Sequence, residues 1–237
     1  MIRPVMALIK YLANLGYGTR REVTAMLAAR RISRADGTTV RDDGEFSHTD
    51  LRVDGLPLDP APGVILMLNK PVGYVCSKQD VPPLVYDLLP ERFLRRTPII
   101  APVGRLDRDT SGLLLLTDDG ALNHRLTSPR SHLPKTYHAT LAAAISTEAA
   151  DLFASGTLLL NGERTPLKPA MLYRIDARTI EITVTEGRYH QVRRMLAATG
   201  NHVLTLRRVR LGVLTLGTLS EGSWRELTAA DRELLVS

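Results

Sequence analysis

Gly104-Arg105-Leu106-Asp107-Arg108-Asp109-Thr110-Ser111-Gly112 runs directly into Leu113-Leu114-Leu115-Leu116, and this junction decides how the chain is read. Four consecutive leucines lack the alternation of a strand with one wet face, so they fit a central strand buried on both sides. The acids just ahead of them therefore sit at a strand mouth, where the backbone is anchored and a carboxylate can be held for chemistry. Taken alone, Asp107, Asp109 and Thr110 could equally satisfy backbone amides in a turn, the commoner use of such residues. The rest of the chain has to choose between a turn and a site.

Working outward, apolar runs at 64–68 and 180–184 are separated by turn residues and short helical patterns, which reads as one α+β domain built on a sheet. Thr179-Ile180-Glu181-Ile182-Thr183-Val184 alternates as a half-exposed strand does. Nearer the start, Leu8, Ile9, Leu12 and Leu15 recur at helical spacing before Gly16, and Thr19-Arg20-Arg21-Glu22 carries a capping-box signature for a second helix running through Arg31. Val23, Met26 and Leu27 supply its apolar stripe, leaving Arg20, Arg21, Arg30 and Arg31 around the solvent side. Thr38-Thr39-Val40 and Asp50-Leu51-Arg52-Val53-Asp54-Gly55 predict short strands. Leu58-Asp59-Pro60-Ala61-Pro62-Gly63 reads as a linker, so the chain divides into residues 1–59, a linker at 60–63 and a second domain over 64–237.

Composition narrows the class. The 237 residues are 44% hydrophobic and 24% charged, which suits a globular protein with one sizeable core and a small satellite. Lysine and arginine outnumber the acids 31 to 25, a formal net charge of +6, which favours a polyanionic partner. Cys76 is the single cysteine, so neither an intramolecular disulfide nor a thiol metal cluster can form, and a reducing compartment fits. Met1-Ile2-Arg3-Pro4-Val5 opens no long apolar segment, and no stretch approaches the roughly 20 apolar residues of a spanning helix. A cytoplasmic protein with no membrane association is expected. His48, His124, His132, His138, His190 and His202 are scattered without metal-ligand spacing, and no phosphate-binding or dinucleotide glycine motif occurs, so neither metal nor cofactor is expected.

The block from Gly104 through Leu116-Thr117-Asp118-Asp119-Gly120 resembles the signature of the RNA pseudouridine synthases, in particular the branch that modifies small-subunit ribosomal RNA. It is joined in family order by Met67-Leu68-Asn69-Lys70-Pro71-Val72-Gly73-Tyr74-Val75-Cys76-Ser77, by Thr127-Ser128-Pro129-Arg130, by Lys135-Thr136-Tyr137 and by Glu186-Gly187-Arg188-Tyr189-His190-Gln191-Val192-Arg193-Arg194-Met195. Lys10-Tyr11-Leu12-Ala13-Asn14-Leu15-Gly16-Tyr17-Gly18-Thr19-Arg20-Arg21-Glu22-Val23 is similar to the opening of the S4 RNA-binding domain, with Ala7 and Ile9 where that family usually has an arginine and an aspartate. The likeness spans nearly the whole chain.

The resemblance implies a small S4-like domain ahead of a catalytic domain with a mixed, mainly antiparallel sheet and flanking helices. It gives Asp107 the role of nucleophile towards a flipped uridine, a task suited to a group that stays ionised. A carboxylate in a dry pocket needs an opposite charge nearby. On a helix, Val192, Met195 and Leu196 make one apolar stripe with Arg193 at its edge and Arg194 nearer the far side, so Arg193 is the expected partner of Asp107, as in the family. By the same likeness Tyr137 stacks on the uracil, with a phenol that could take the C5 proton, and Arg105 fills the space the base leaves. Base extrusion costs a few kcal/mol, which phosphate contacts offset. Candidates are Arg20, Arg21, Arg30, Arg31, Arg130, Arg188, Arg194, Arg207 and Arg208. The implied target is 16S rRNA, at a uridine-516-type site, within a small-subunit assembly intermediate, and the enzyme is expected to be a monomer. The motifs around Lys70 and Tyr189, with no long basic C-terminal tail, favour 16S over the 23S rRNA that close relatives modify.

Two other classes fit parts of the sequence. Asp107 and Asp109 could be an acid and nucleophile pair of a nucleoside hydrolase, which would release free uracil. A non-catalytic RNA-binding protein would need only the S4-like part.

Overall fold

The computed structural model describes residues 7–77, 81–128 and 130–236. The readings placed on Met1 to Val5 and on Pro129 lie outside them. Residues 8–58 pack around a small core of their own: helices α1 (Leu8–Asn14) and α2 (Arg20–Ala28) cover the antiparallel strands β1 (Ile32–Arg34), β2 (Leu51–Val53) and β3 (Leu56–Pro57). The capping box forms as the sequence indicates. Thr19 Oγ1 accepts the Glu22 N–H, and the Glu22 carboxylate accepts the Thr19 N–H at 2.6 Å. The helix stops earlier than expected, because Arg30 turns left-handed at φ 59°. Its N–H donates to the Leu27 carbonyl and that of Arg31 to the Met26 carbonyl, the double closure of a Schellman motif with arginine in the usual glycine place. Arg31 thereby leaves the helix and forms two hydrogen bonds with Asp54, at 2.8 and 2.7 Å. The expected strand at 38–40 is only a single bridge, Thr39 to Ser33, along the free edge of β1.

The second part contains β4 (Ile65–Lys70), α3 (Glu91–Leu94), β5 (Ala101–Pro102), β6 (Thr110–Thr117), α4 (Gly120–Thr127), β7 (Lys135–Leu141), α5 (Glu148–Ser155), β8 (Met171–Arg174), β9 (Thr179–Val184), α6 (Gln191–Ala198), β10 (Val203–Leu211), β11 (Leu214–Thr215), β12 (Trp224–Glu226) and α7 (Ala229–Val236). Nine strands form one sheet in the order β12-β4-β6-β10-β7-β9-β8, with β5 beside β6 and β11 beside β10. Only the β6–β10 pair is parallel, so the sheet is mixed and mainly antiparallel, as expected. Strand β6 is buried throughout. Leu114 and Leu116 enter one core with Leu66 and Leu68, while Leu113 and Leu115 enter the other with Ile65 and Met67, which is why four leucines run without a break. No helix among the described residues is long and apolar enough to cross a membrane.

The linker is irregular but fixed. Arg96 and Asp118 form an ion pair at 2.8 Å with both side chains almost wholly buried. Arg96 also donates to the carbonyls of Pro60 and Ala61, and Asp118 accepts the Gly63 N–H. Arg92 pairs with Asp59, and the Thr97 N–H donates to the Asn14 carbonyl. The junction thus spends its polar groups on holding the small helical unit against α3 and the end of β6.

Gly112 sits in β6 at φ 105°, and a Cβ there would lie 2.2 Å from the Arg208 carbonyl oxygen on β10. Gly112→Ala is expected to cost about 3 kcal/mol or to prevent folding, since overpacking and a left-handed alanine add; denaturant unfolding checks this. Asp118→Asn leaves a buried guanidinium without its counter-charge, and thermal unfolding is expected to show a loss of about 3–5 kcal/mol.

Candidate active site

Asp107 lies in the loop between β5 and β6, and that loop is stitched to the end of β4. Lys70, with no exposed surface, donates from Nζ to the carbonyls of Thr110 at 2.8 Å, Pro71 at 3.0 Å and Asp107 at 3.1 Å. Burial pushes the Lys70 ammonium below its ordinary range, against the opposing pull of Cys76, Asp107 and Asp109. Next to it the Gly73 N–H donates to the Arg108 carbonyl at 2.7 Å, and Arg108 Nε returns a bond to the Gly73 carbonyl. The motifs around Lys70 and Asp107, far apart in sequence, are one unit in space.

The Asp107 carboxylate faces a cleft of about 720 Å³, a volume suited to one nucleoside with room for its flanking phosphates. Tyr137, Lys135, His190, Arg105 and Arg208 line the same cleft. Tyr137 stands on β7, almost buried, with Ile182 of β9 opposite it in the sheet. His190 caps α6 in a left-handed conformation, φ 48°, with Nε2 3.5 Å from Asp107 Oδ1. Its ring stacks on the exposed Tyr189 at 3.9 Å and 15°. Among the described residues no cluster of histidine, cysteine and acids is placed to hold a metal ion.

The expected pairing of Arg193 with Asp107 is not the one observed. Arg193 does point inward from α6, but its Nη2 meets Asp109 Oδ2 at 2.8 Å and the Asp109 carbonyl at 3.2 Å, while Nη1 donates to the Val203 carbonyl. Helical angle alone says which way a side chain points; it cannot say which of two acids, two residues apart on a loop, comes within reach. Asp109 is mostly exposed and does not line the cleft, so the two acids do not face one bound sugar as a hydrolytic pair.

Arg188 and Arg194 also differ from expectation. Both grip Glu163, at 3.2 and 2.8 Å, and both donate to carbonyls of the 161–166 loop, so they fasten that loop over α6 instead of standing free for phosphate. Arg20, Arg21, Arg30, Arg105 and Arg130 are exposed, whereas Arg31 is held by Asp54. Arg207 contacts Asn69 and Glu221, and Arg208 is buried. In the sequence His190 stands among the histidines without metal-ligand spacing, and Arg208 among the candidate phosphate contacts. His190 was visible as part of the motif before α6. The depth of Arg208 shows only once β10 is laid beside β7.

A family model described as RNA pseudouridylate synthase matches residues 64–198. The ribosomal small subunit pseudouridine synthase A of Yersinia pestis is 43% identical over 232 residues, covering 95% of this chain and 96% of that protein. Its namesake in Escherichia coli strain K12 is 43% identical over 218 residues, 87% of this chain and 91% of that protein. A crystal structure of a pseudouridylate synthase, 37% identical, superposes with a TM-score of 0.69 over 97% of this chain and 99% of that one. With the family model over more than half its length and relatives of this identity along nearly all of it, the chain belongs to the RNA pseudouridylate synthase family.

Proposed function

We propose that this isomerase converts one uridine of 16S rRNA, at a uridine-516-type site, into pseudouridine, with Asp107 as the nucleophile. The observation that carries the reading is the shared cleft: a carboxylate anchored through its own loop and the ring of Tyr137 line one space of nucleoside size. The target uridine swings out of its stack into this space, where Tyr137 packs against the uracil and its phenol can receive the C5 proton. Asp107 holds the sugar while the glycosidic bond is broken and remade through carbon. Nothing is oxidised or consumed, so the chemistry calls for no cofactor.

Arg193 acts on this centre through the loop, restraining Asp109 and its carbonyl, and is a positioning residue in this reading. Arg105, exposed at the cleft, fills the gap left by the extruded base. Residues 1–59 serve as an S4-like RNA-binding domain, joined by a linker at 60–63 to a catalytic domain over 64–237. Two helices on a small sheet, with Arg20, Arg21 and Arg30 exposed, support that role. Together with Arg130 they contact phosphate, the charge-driven part of RNA affinity. The names borne by the Yersinia pestis and Escherichia coli relatives support the small-subunit RNA as target. The enzyme works as a cytoplasmic monomer on a small-subunit assembly intermediate.

With 16S rRNA tritiated at C5 of uridine, the parent enzyme is expected to release tritium to water while the base stays on the chain, and Asp107→Asn to lose at least about 1,000-fold of that rate, as loss of a nucleophile does. Free uracil as product would mean hydrolysis, and full activity of Asp107→Asn would end the assignment. Mapping pseudouridines in a strain lacking the gene is expected to show one site lost from 16S rRNA; a site lost from 23S rRNA instead would contradict the target.

A further inference from the structure

Arg208 is a buried guanidinium that has no counter-ion among the described residues. It is 2% exposed. Its Nε donates to the Leu113 carbonyl at 2.7 Å, its Nη2 is buried with no partner, and among the described residues no carboxylate pairs with it. Buried arginines ordinarily meet an acid, as Arg96 meets Asp118 here, because an uncompensated charge costs several kcal/mol in a low-dielectric site. The sheet fixes where this charge is held. Arg208 pairs in register with Tyr137 on β7 and with Gly112 on β6, and Gly112 pairs with Lys70 on β4. Residues paired in register share a face, so Lys70, Arg208 and Tyr137 form one row across the sheet, with only a hydrogen at position 112 between the two cations. The Lys70 ammonium is occupied by carbonyls of the Asp107 loop, but the Arg208 guanidinium is not, and it lines the cleft beside Tyr137 and Asp107. Lys135, the neighbouring lysine of the cleft, adds a further positive group: burial lowers its ammonium, and Arg208 lowers it further.

We propose that Arg208 binds the uracil ring while it is an anion, and so stabilises the detached base. This rests on the isomerase reading given above. When the N1–C1′ bond breaks, its electron pair stays with the ring, and the charge spreads over N1, O2 and O4. C1′ is meanwhile held by the Asp107 carboxylate, or the sugar has given up a proton to it. After the ring turns, the C5=C6 pair forms the C5–C1′ bond while the N1 pair moves into N1=C6, and the Asp107 oxygen leaves C1′ with its own pair, or Asp107 returns its proton to the sugar; the C5 hydrogen then leaves as a proton, the double bond returns to C5=C6, and N1 takes up a proton. Charge on the base is greatest between those two steps, so a guanidinium already fixed at the wall and free of any carboxylate favours that state over neutral bound uridine. The cost is borne by the folded protein, which keeps an unpaired cation for a charge that only the reacting substrate supplies.

The test is Arg208→Met and Arg208→Lys, measured in single-turnover pseudouridylation, RNA binding and thermal unfolding, with Asp107→Asn in parallel. Arg208→Met is expected to lose about 100-fold or more in kcat, as for removal of one oxyanion donor. Its RNA affinity should stay within about threefold and its melting temperature should be equal to or higher than the parent's, because an unpaired buried charge is gone. Arg208→Lys, which keeps the charge, should retain more activity than Arg208→Met. A folded Arg208→Met enzyme with nearly parental kcat, a loss carried by RNA affinity alone, or failure of both variants to fold overturns the proposal. Activity surviving in Asp107→Asn would instead overturn the isomerase mechanism on which it rests.

Discussion

The site depends on one buried ammonium. Lys70 has three N–H groups to satisfy and, among the described residues, no carboxylate bonded to them, and removing an ammonium from water costs several kcal/mol unless each N–H finds an acceptor. The acceptors come from backbone: Pro71 at the end of its own strand, and Asp107 and Thr110 across the loop. A carbonyl can reach Nζ only if the loop lies flat over the end of β4, so satisfying the lysine shapes the segment that carries Asp107. The exchange of bonds between Gly73 and Arg108 closes the same seam one step further out. The loop owes its form less to its own turn-forming residues than to a charge beneath it.

The features legible in the sequence were local ones. The unbroken leucines 113–116 announced a strand between two cores, and they serve two cores. The alternation at 179–184 and the capping box at Thr19 followed from spacing alone. The end of α2 was not legible, because a Schellman closure is normally marked by glycine and here an arginine takes the left-handed place. Likewise Thr38-Thr39-Val40 has strand-forming residues, yet its neighbours give it only one bridge. Strand propensity is a statement about a surface to pack on, and that segment has little.

The candidate site divides in the same way. Asp107 and Tyr137 could be picked out by their motifs, and both reach the cleft. Their surroundings depend on residues brought together over long separations: Tyr137 with Arg208 through β7 and β10, Lys70 with Asp107 through β4 and the loop. The basic run of α6 shows the limit most clearly. Its helical angles send Arg193 and Arg194 in different directions. What each arginine meets is set by Glu163 and Asp109, acids on segments whose approach no periodicity foretells.

Charge balance ties these parts together. Most interior cations of the catalytic part are matched: Arg96 by Asp118, Arg188 and Arg194 by Glu163, Arg193 by Asp109. Among the described residues Lys70, Lys135 and Arg208 form no ion pair; Lys70 and Arg208 stand in one row under the loop that carries Asp107, and Gly112 is the residue that lets their strands close. A protein selected only for stability would have an acid or an apolar side chain there. An excess of fixed positive charge at this place suits negative charge that arrives from outside, and under the proposed mechanism RNA brings it twice: permanently in its phosphates, and transiently in a base parted from its sugar. Surface arginines suffice for the first. In the proposed mechanism the second arises inside the cleft, where a group preset in the wall of the sheet acts with little reorganisation.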